Sequence, residues 1–180
     1  MKSPLNLQIL FLKVKNQDPE AFGQFYDLYV TRIYRFIFFK INSISDAQDI
    51  TSEVFLKLWQ YLKEGKNIKN LNAFTYMIAR NMVIDFYRKN HKFDESISDE
   101  HINIPDEQKD ILKQQIMDSE LHDVLKGIEN LKDEYKEIII LKYLDELSNS
   151  EIASVLHKSN GAVRVLLYRA IKALKENINN

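Results

Sequence analysis

Residues 147–174, LSNSEIASVLHKSNGAVRVLLYRAIKAL, predict two short helices joined by a tight turn. Ser148 and Glu151 have the spacing of a capping box, in which each side chain binds the backbone N–H of the other residue. Ser159 stands where it can cap the second helix. The apolar residues of the pair fall on one side at helical spacing: Ile152, Val155, Leu156, Val163, Leu167, Ala170 and Leu174.

The second helix of this pair carries a polar, basic side opposite the apolar one. Arg164, Tyr168 and Lys172 repeat every four residues, with Val165 and Arg169 beside them. A helix of this kind suits the major groove of DNA and its phosphates. An ordinary helical hairpin with a solvated basic face is the other interpretation, and the pattern favours DNA binding over it.

Composition narrows the class of protein. The 180 residues are 45% hydrophobic, and four glycines and three prolines are too few for a loop-rich all-β fold. Cysteine is absent, which excludes disulfides, thiolate zinc sites and thiol catalysis. Residues 1–17 have neither a signal-peptide layout nor an apolar span of about 18 residues. We therefore expect a soluble cytoplasmic protein that does not insert into a membrane.

The net charge of −1 hides an uneven distribution. Residues 147–176 contain five bases and two acids, and residues 71–92 contain four bases and one acid. Between them, residues 93–120 contain nine acids and two bases. Two basic segments separated by an acidic one are a better guide to partners than the total charge.

The first half of the chain predicts long amphipathic helices. Asp18 and Pro19 signal the start of a helix that runs to about Ile41. Its apolar stripe consists of Phe22, Phe25, Tyr26, Tyr29, Ile33, Ile37 and Ile41. The next helix begins at Ser45 or Asp46 and ends at Gly65.

This second helix buries Ile50, Val54, Leu58 and Tyr61 by its spacing. Its other face carries Asp46, Asp49, Glu53 and Lys57, with Trp59 to one side. Acids early in a helix have an ordinary explanation, because they suit the helix dipole. A protein-docking surface is the alternative, and spacing alone does not choose between the two.

A polar loop, residues 63–70, leads into a helix over residues 71–92 that mixes aromatic and basic residues. Tyr76, Phe86 and Tyr87 could stack on unpaired bases while basic groups hold phosphates. An amphipathic helix with its aromatics inside is the competing interpretation. Residues 93–106 are acidic, lack periodicity and contain Pro105, so they predict a linker. Helical patterns follow within residues 107–117, 121–131 and 134–143.

Five blocks of sequence follow one another along residues 18–175. They are DPEAFGQFYDLY, DAQDITSEVFLKLW, AFTYMIARNMVIDFYRK, EYKEIIILKYLDELSNSEIASVL and GAVRVLLYRAIKAL. In this order, they resemble the extracytoplasmic-function (ECF) sigma factors of RNA polymerase. The resemblance implies an all-α fold of two small helical domains joined by an acidic linker. The limits would be residues 1–92, 93–117 and 118–180, with the helix-turn-helix in the last domain.

The resemblance also implies roles for particular residues. The polymerase-binding candidates are Asp46, Asp49, Glu53, Lys57 and Trp59. The candidates for the minus-ten element, including capture of a flipped base, are Lys66, Asn67, Asn70, Arg80, Asn81, Arg88 and Lys89. The candidates for the minus-thirty-five element are Ser159, Asn160, Arg164, Tyr168, Arg169 and Lys172.

The implied partners are core RNA polymerase, promoter DNA and an anti-sigma factor, with no cofactor, no metal and no catalysis. Four scattered histidines, without a Gly-rich phosphate loop or paired carboxylates, leave no enzymatic interpretation that competes. One alternative is a helix-turn-helix regulator that binds duplex DNA without polymerase. Another is a helical interaction protein with no DNA role, in which case the two basic segments would be coincidental.

Five departures from the family pattern bear on these expectations. Ser52 replaces a frequent Gln before Glu53, which weakens one proposed docking contact. His157 stands where the family usually has glycine, at a position that often needs a left-handed backbone. Ala162, Val165 and Leu166 stand where Thr, Ser and Arg are common. We therefore expect fewer polar groups on the reading helix.

Overall fold

The computed structural model describes residues 4–41, 43–93, 128 and 130–178, and every regular element among them is a helix. The chain divides into two compact units, with the main boundary after residue 96. The first contains α1 (Pro4–Lys15), α2 (Pro19–Ile41), α3 (Ile44–Lys63) and α4 (Leu71–Phe93). None of the described helices is long and apolar enough to cross a membrane. The predicted all-α class with two helical domains is confirmed.

Helix α2 is central to the first unit and packs against α1, α3 and α4. It begins at the predicted residue, because the Asp18 carboxylate accepts the backbone N–H groups of Glu20 and Ala21 at 3.0 and 3.1 Å. Its buried stripe contains Phe25, Tyr29, Ile33, Phe36, Ile37 and Ile41. Phe22 and Tyr26, which the sequence pattern also puts inside, are only partly covered.

Helix α3 starts earlier than predicted. Ser43, rather than Ser45 or Asp46, is the capping residue, and its hydroxyl accepts the Asp46 N–H at 3.4 Å. The predicted end is confirmed, since Gly65 follows the helix with φ = +68° and donates its N–H to the Leu62 carbonyl at 3.0 Å. A glycine adopts this left-handed backbone without the steric cost that a β-carbon brings.

Helix α4 lies against both α2 and α3. Asn70 caps it, because the Asn70 side-chain oxygen accepts the Ala73 N–H at 2.9 Å. Its inner side buries Ile78 and Met82, while Phe74 is half-buried.

The second unit contains α5 (Asp133–Ile139), a π-helical turn (Ile140–Leu144), α6 (Asn149–Leu156) and α7 (Asn160–Ile178). The helix predicted over residues 134–143 therefore exists, but its second half is wider than an α-helix. There the Asp145 N–H reaches back five residues to the Ile140 carbonyl at 3.0 Å. Ile138, Ile139 and Leu141 are buried, and α5 packs against α7.

The predicted helix-turn-helix, α6 and α7, is confirmed in its caps and in its buried face. The Ser148 N–H donates to the Glu151 carboxylate at 2.9 Å, and the Glu151 N–H donates to the Ser148 hydroxyl at 3.3 Å. Ser159 accepts the Ala162 N–H at 3.2 Å and so caps α7. The buried side chains include Ile152, Ala153, Val155, Leu156, Val163, Leu167 and Ala170, while Leu174 is half-buried.

Some predictions fall outside the described residues. These are the linker beyond Phe93, the helical pattern within residues 107–117, and most of the helix over residues 121–131. Of that last segment, the structure describes the side chains of Ile128 and Leu131, which are both buried.

His157 ends α6 with φ = +53°, the left-handed conformation that its position predicts. We expect His157→Gly to raise the free energy of unfolding of the second unit by about 1 kcal/mol, because glycine has no β-carbon to clash there. His157→Ala keeps the β-carbon and should bring no gain. Urea unfolding of the full chain, followed by amide exchange in α6 and α7, measures both variants. Equal stability of the Gly and Ala variants would contradict the expectation.

Candidate functional site

The outer face of α3 carries an acidic stripe with one apolar member. Asp49, Glu53 and Leu56 are exposed at intervals of four and three residues, opposite the buried Ile50 and Val54. Leu56 is 58% exposed. The sequence analysis did not select Leu56, although its distance of three residues from Glu53 assigns it to the same face.

The other candidates on α3 differ in exposure. Lys57 is exposed beside the stripe, and Asp46 is half-buried in the first turn of the helix. Trp59 is half-buried, because its ring packs on that of Phe22 with a centroid distance of 4.7 Å. The Lys63 ammonium lies 5.4 Å from the centroid of the Trp59 ring. Only part of Trp59 is therefore available to a partner.

The loop of residues 64–70 joins α3 to α4 and carries three candidates. Lys66 packs its ammonium over the Tyr61 ring, 3.9 Å from the centroid, and pairs with the Glu64 carboxylate at 2.9 Å. Asn67 is exposed, and Asn70 is exposed at the start of α4. Ile68 is buried and anchors the middle of the loop.

The outer face of α4 carries the remaining candidates of the first unit. Asn81, Arg88 and Lys89 are exposed, and Arg80 is half-buried. The Arg88 guanidinium pairs with the Asp85 carboxylate at 3.0 Å. Between Asn81 and Arg88 lies Ile84, which is 46% exposed.

The prediction that Tyr76 could stack on unpaired bases is wrong. Tyr76 is fully buried and meets the Phe36 ring edge to face, with a centroid distance of 5.5 Å. Phe86 is half-buried. Tyr87 alone of the three aromatics is exposed, and its hydroxyl donates to the Lys40 carbonyl. Helical spacing could not separate these cases, since it does not identify which neighbouring helix covers each ring.

The outer face of α7 carries the candidates of the second unit. The exposed candidates are Asn160, Arg164, Tyr168, Arg169 and Lys172, together with the capping residue Ser159. At 71% exposed, Tyr168 is the most exposed aromatic side chain in the described part of the chain. Lys172 approaches the Glu176 carboxylate only to 3.9 Å, which leaves the ammonium largely in solvent.

The three departures on α7 differ in their exposure to solvent. Leu166 is buried in the core of the second unit. A leucine in place of a polar residue at this position therefore does not change the outer face of α7. Ala162 and Val165 are exposed, and Val165 is 51% exposed beside Arg164. The outer face of α7 therefore combines basic groups with a small apolar surface. Within the described parts of the chain, no group of three or more histidines and acids could hold a metal ion.

Comparisons with known proteins agree with this arrangement. The Sigma-70 region 2 family matches residues 25–93, and the Sigma-70 region 4 family matches residues 121–174. The RNA polymerase sigma factor SigV of Bacillus subtilis is 30% identical over 142 residues, which is 79% of this chain and 81% of SigV. The chain belongs to the ECF family of RNA polymerase sigma factors.

Two further likenesses extend this assignment. The ECF RNA polymerase sigma factor BldN of Streptomyces coelicolor is 28% identical over 164 residues, and the match covers 87% of this sigma factor but 60% of BldN. The structure of the sigma factor RpoE in complex with the anti-sigma factor NepR, from Bartonella quintana, matches with a TM-score of 0.70. That match has 21% identity and covers 89% of this chain and 98% of RpoE, so it supports the fold.

The pair of Arg88 and Asp85 yields a prediction for this sigma factor. Because both side chains are exposed, Asp85→Asn should change the free energy of unfolding by less than about 1 kcal/mol. It should also free Arg88 for a phosphate, and so raise affinity for a labelled single-stranded oligonucleotide and steepen its salt dependence by about 0.7 in the log–log slope. Fluorescence anisotropy across a salt series measures this. Arg88→Ala is the control, and it should lower the affinity for the oligonucleotide and flatten its salt dependence. An unchanged slope for Asp85→Asn would count against binding of single-stranded DNA by the outer face of α4.

Proposed function

We propose that this sigma factor binds core RNA polymerase, directs it to promoters through minus-ten and minus-thirty-five elements, and assists promoter melting. The observation that carries the proposal is the pairing of two sigma regions in one chain, in the family's order, each with an exposed polar helix face. The protein would act in the cytoplasm, where polymerase and chromosome meet, and would catalyse no reaction itself.

The domain limits proposed are residues 1–92 for polymerase docking and the minus-ten element, 93–117 for the linker, and 118–180 for the minus-thirty-five element. The two family matches support these limits, because the first ends at residue 93 and the second begins at residue 121, close to the two ends of the proposed linker. An anti-sigma factor is a further proposed partner, supported by the anti-sigma complex of the structurally similar RpoE.

The stripe on α3 is the proposed contact with polymerase. Asp49 and Glu53 offer two carboxylates, and Leu56 offers an apolar centre between exposed polar residues. Protein interfaces commonly combine an apolar centre with a polar rim. Trp59 and Lys57 lie beside the stripe on the same helix, so they would contact polymerase at the edge of this surface.

The loop of residues 64–70 and the outer face of α4 are the proposed reader of the melted minus-ten strand. Lys66, Arg88 and Lys89 supply positive charge for phosphates, while Asn67 and Asn81 supply amide groups for base edges. Unpaired strands are bound by a positively charged surface that follows the backbone.

Helix α7 is the proposed reader of the duplex minus-thirty-five element. Its first two exposed turns carry Asn160, Arg164 and Val165, which suits contact with base edges by the N-terminal part of a recognition helix. Tyr168, Arg169 and Lys172 continue the exposed surface toward the phosphates. An exposed valine can also meet the methyl group of thymine.

Run-off transcription with core RNA polymerase tests the proposed function directly. We expect the full chain to co-elute with core polymerase and to start transcripts at defined positions, on promoters selected from a random DNA library. A helix-turn-helix regulator would bind duplex DNA without polymerase and start none. Specific duplex binding by the free chain, with no stimulation of initiation, would replace the proposal by that alternative.

Reversing the charge of the stripe should weaken docking. We expect Asp49→Lys combined with Glu53→Lys to lower affinity for core polymerase, by about 2–5 kcal/mol if these carboxylates are buried against partner charges. Helicity should stay unchanged, because both residues are exposed. Binding titrations with labelled core polymerase measure the loss.

The matched control reverses two exposed acids of α2, Glu20→Lys with Asp27→Lys, in the same unit. It makes the same change in net charge away from the stripe, and it should bind core polymerase as the wild type does. Equal affinity of the two double variants would exclude this stripe as the docking surface.

The two DNA surfaces should fail independently. Arg164→Ala should reduce binding of the holoenzyme to the upstream duplex element by about 1–3 kcal/mol, the discrimination carried by one good base contact. It should spare binding to a pre-melted downstream fork. Asn81→Ala should show the reverse pattern, because it lies in the other unit. Similar losses on both templates for both variants would mean that the division of roles is mistaken.

A further inference from the structure

The loop of residues 64–70 is held from outside by the last residue of α1, Lys15, and by Gln17 in the turn that follows it. The Gln17 side-chain amide donates to the Leu62 carbonyl at 2.9 Å, and the Lys15 ammonium donates to the Lys69 carbonyl at 3.0 Å. Leu62 precedes the loop and Lys69 lies near its end. We call these two side chains the turn bracket.

The backbone of Gln17 is unusual for its residue type. It has φ = +63°, and its N–H donates to the Val14 carbonyl at 2.9 Å where α1 ends. Glycine reaches this conformation freely, whereas a residue with a β-carbon does so at a cost. The position therefore holds a residue that fits the backbone less well but has a side chain long enough to reach Leu62. An observed backbone outlier of this kind is a reason to look for a role.

The two ends of the loop are fixed in complementary ways. The Leu62 carbonyl also accepts the Gly65 N–H at 3.0 Å, so it accepts two hydrogen bonds where α3 turns into the loop. At the other end, Lys69 directly precedes the capping residue Asn70. Between them the buried Ile68 side chain anchors the loop to the core. The backbone of the loop is thus held at three points while Asn67 stays exposed.

We infer that Lys15 and Gln17 are positioning residues that hold the loop of residues 64–70 ready for an unpaired base of melted promoter DNA. This inference rests on the proposed function of the loop. A loop that is ordered before binding loses less conformational entropy when the strand arrives, so the bracket raises affinity without touching DNA.

Gln17→Gly distinguishes a positioning role from a purely structural one. The substitution should loosen the loop without lowering the stability of the chain. Removing the β-carbon relieves the backbone, so the unfolding free energy of the free chain should stay equal or rise. Removing the amide takes the Gln17 bond from the Leu62 carbonyl and leaves the Gly65 bond, so the loop loses one attachment to the turn. The amides of residues 66–69 should then exchange with solvent about two- to tenfold faster, the effect of one ordinary hydrogen bond. A purely structural role would instead lower the stability.

Two further variants sharpen this comparison. Gln17→Asn keeps a residue that tolerates the left-handed backbone but shortens the side chain, so it should match Gln17→Gly in loop exchange. Lys15→Met keeps the aliphatic stem and removes the donor to Lys69. Lys13→Met makes the same charge change on the exposed side of the same helix, and it should leave exchange in the loop as in the wild type.

The functional readout uses each variant bound to core polymerase. The probe is a forked DNA made from a promoter that the wild-type holoenzyme selects, with 2-aminopurine in the unpaired minus-ten segment. Gln17→Gly and Lys15→Met should each lose about two- to tenfold in affinity for this fork. Their affinities for core polymerase and for the upstream duplex alone should not change.

Unchanged loop exchange and unchanged fork affinity in both variants would overturn the inference. So would equal losses on the fork and on the upstream duplex, because a positioning role is confined to the loop. A wild-type chain that fails to form a holoenzyme would refute the proposed function, and with it the role of the bracket in capturing DNA. The exchange measurement on the free chain would then still decide whether the bracket orders the loop.

Discussion

Burial of one face of α2 is the constraint on which the first unit depends. Phe25 stacks on Tyr29 with ring centroids 4.5 Å apart, and Phe36 meets Tyr76 of α4 edge to face. Each large apolar side chain buried in this way contributes about 1.5–3 kcal/mol relative to exposure. Because α1, α3 and α4 all pack on α2, their outer faces are oriented by the same core. That packing therefore determines how the acidic stripe of α3, the loop of residues 64–70 and the outer face of α4 are oriented.

The second unit depends on a tight turn between two capped helices. Ser148 and Glu151 satisfy each other's backbone N–H groups at the start of α6, and the Ser159 hydroxyl accepts the Ala162 N–H at the start of α7. His157 adopts the left-handed backbone that ends α6 before the turn into α7. With Val163 and Ala170 fully buried, Arg164 must face outward. The outward direction of the exposed side chains of α7 thus follows from the turn and the buried stripe.

The exposed surfaces share a chemical pattern that the net charge of −1 conceals. Each proposed surface carries an exposed aliphatic side chain among polar neighbours: Leu56 on α3, Ile84 on α4 and Val165 on α7. Such residues expose apolar area to water in the free protein, and they gain by contact with a partner. Charge brings a partner near and orients it, while the apolar centre supplies contact area.

The sequence by itself determined the helices, their caps and most of their buried faces, because these depend on neighbours within a few residues. The caps at Asp18 and Ser159 and the buried stripe of α2 follow from local hydrogen bonding and a period of 3.6 residues. The order of the family blocks likewise determined the two-domain all-α class. Ser43 replaced the predicted cap of α3, since several adjacent polar residues could fill that role equally well.

Only the tertiary structure decided which side chains of the amphipathic helices remain available to a partner. Periodicity assigns Tyr76 and Tyr87 to a helix, but it does not specify that Phe36 covers one ring while the other stays exposed. Trp59 is half-buried because Phe22, on another helix, packs against it. The bonds from Lys15 and Gln17 to the loop join residues 54 and 45 positions apart, so no local pattern could reveal them. Contacts between distant segments depend on how the helices pack, and that packing is a property of the folded chain.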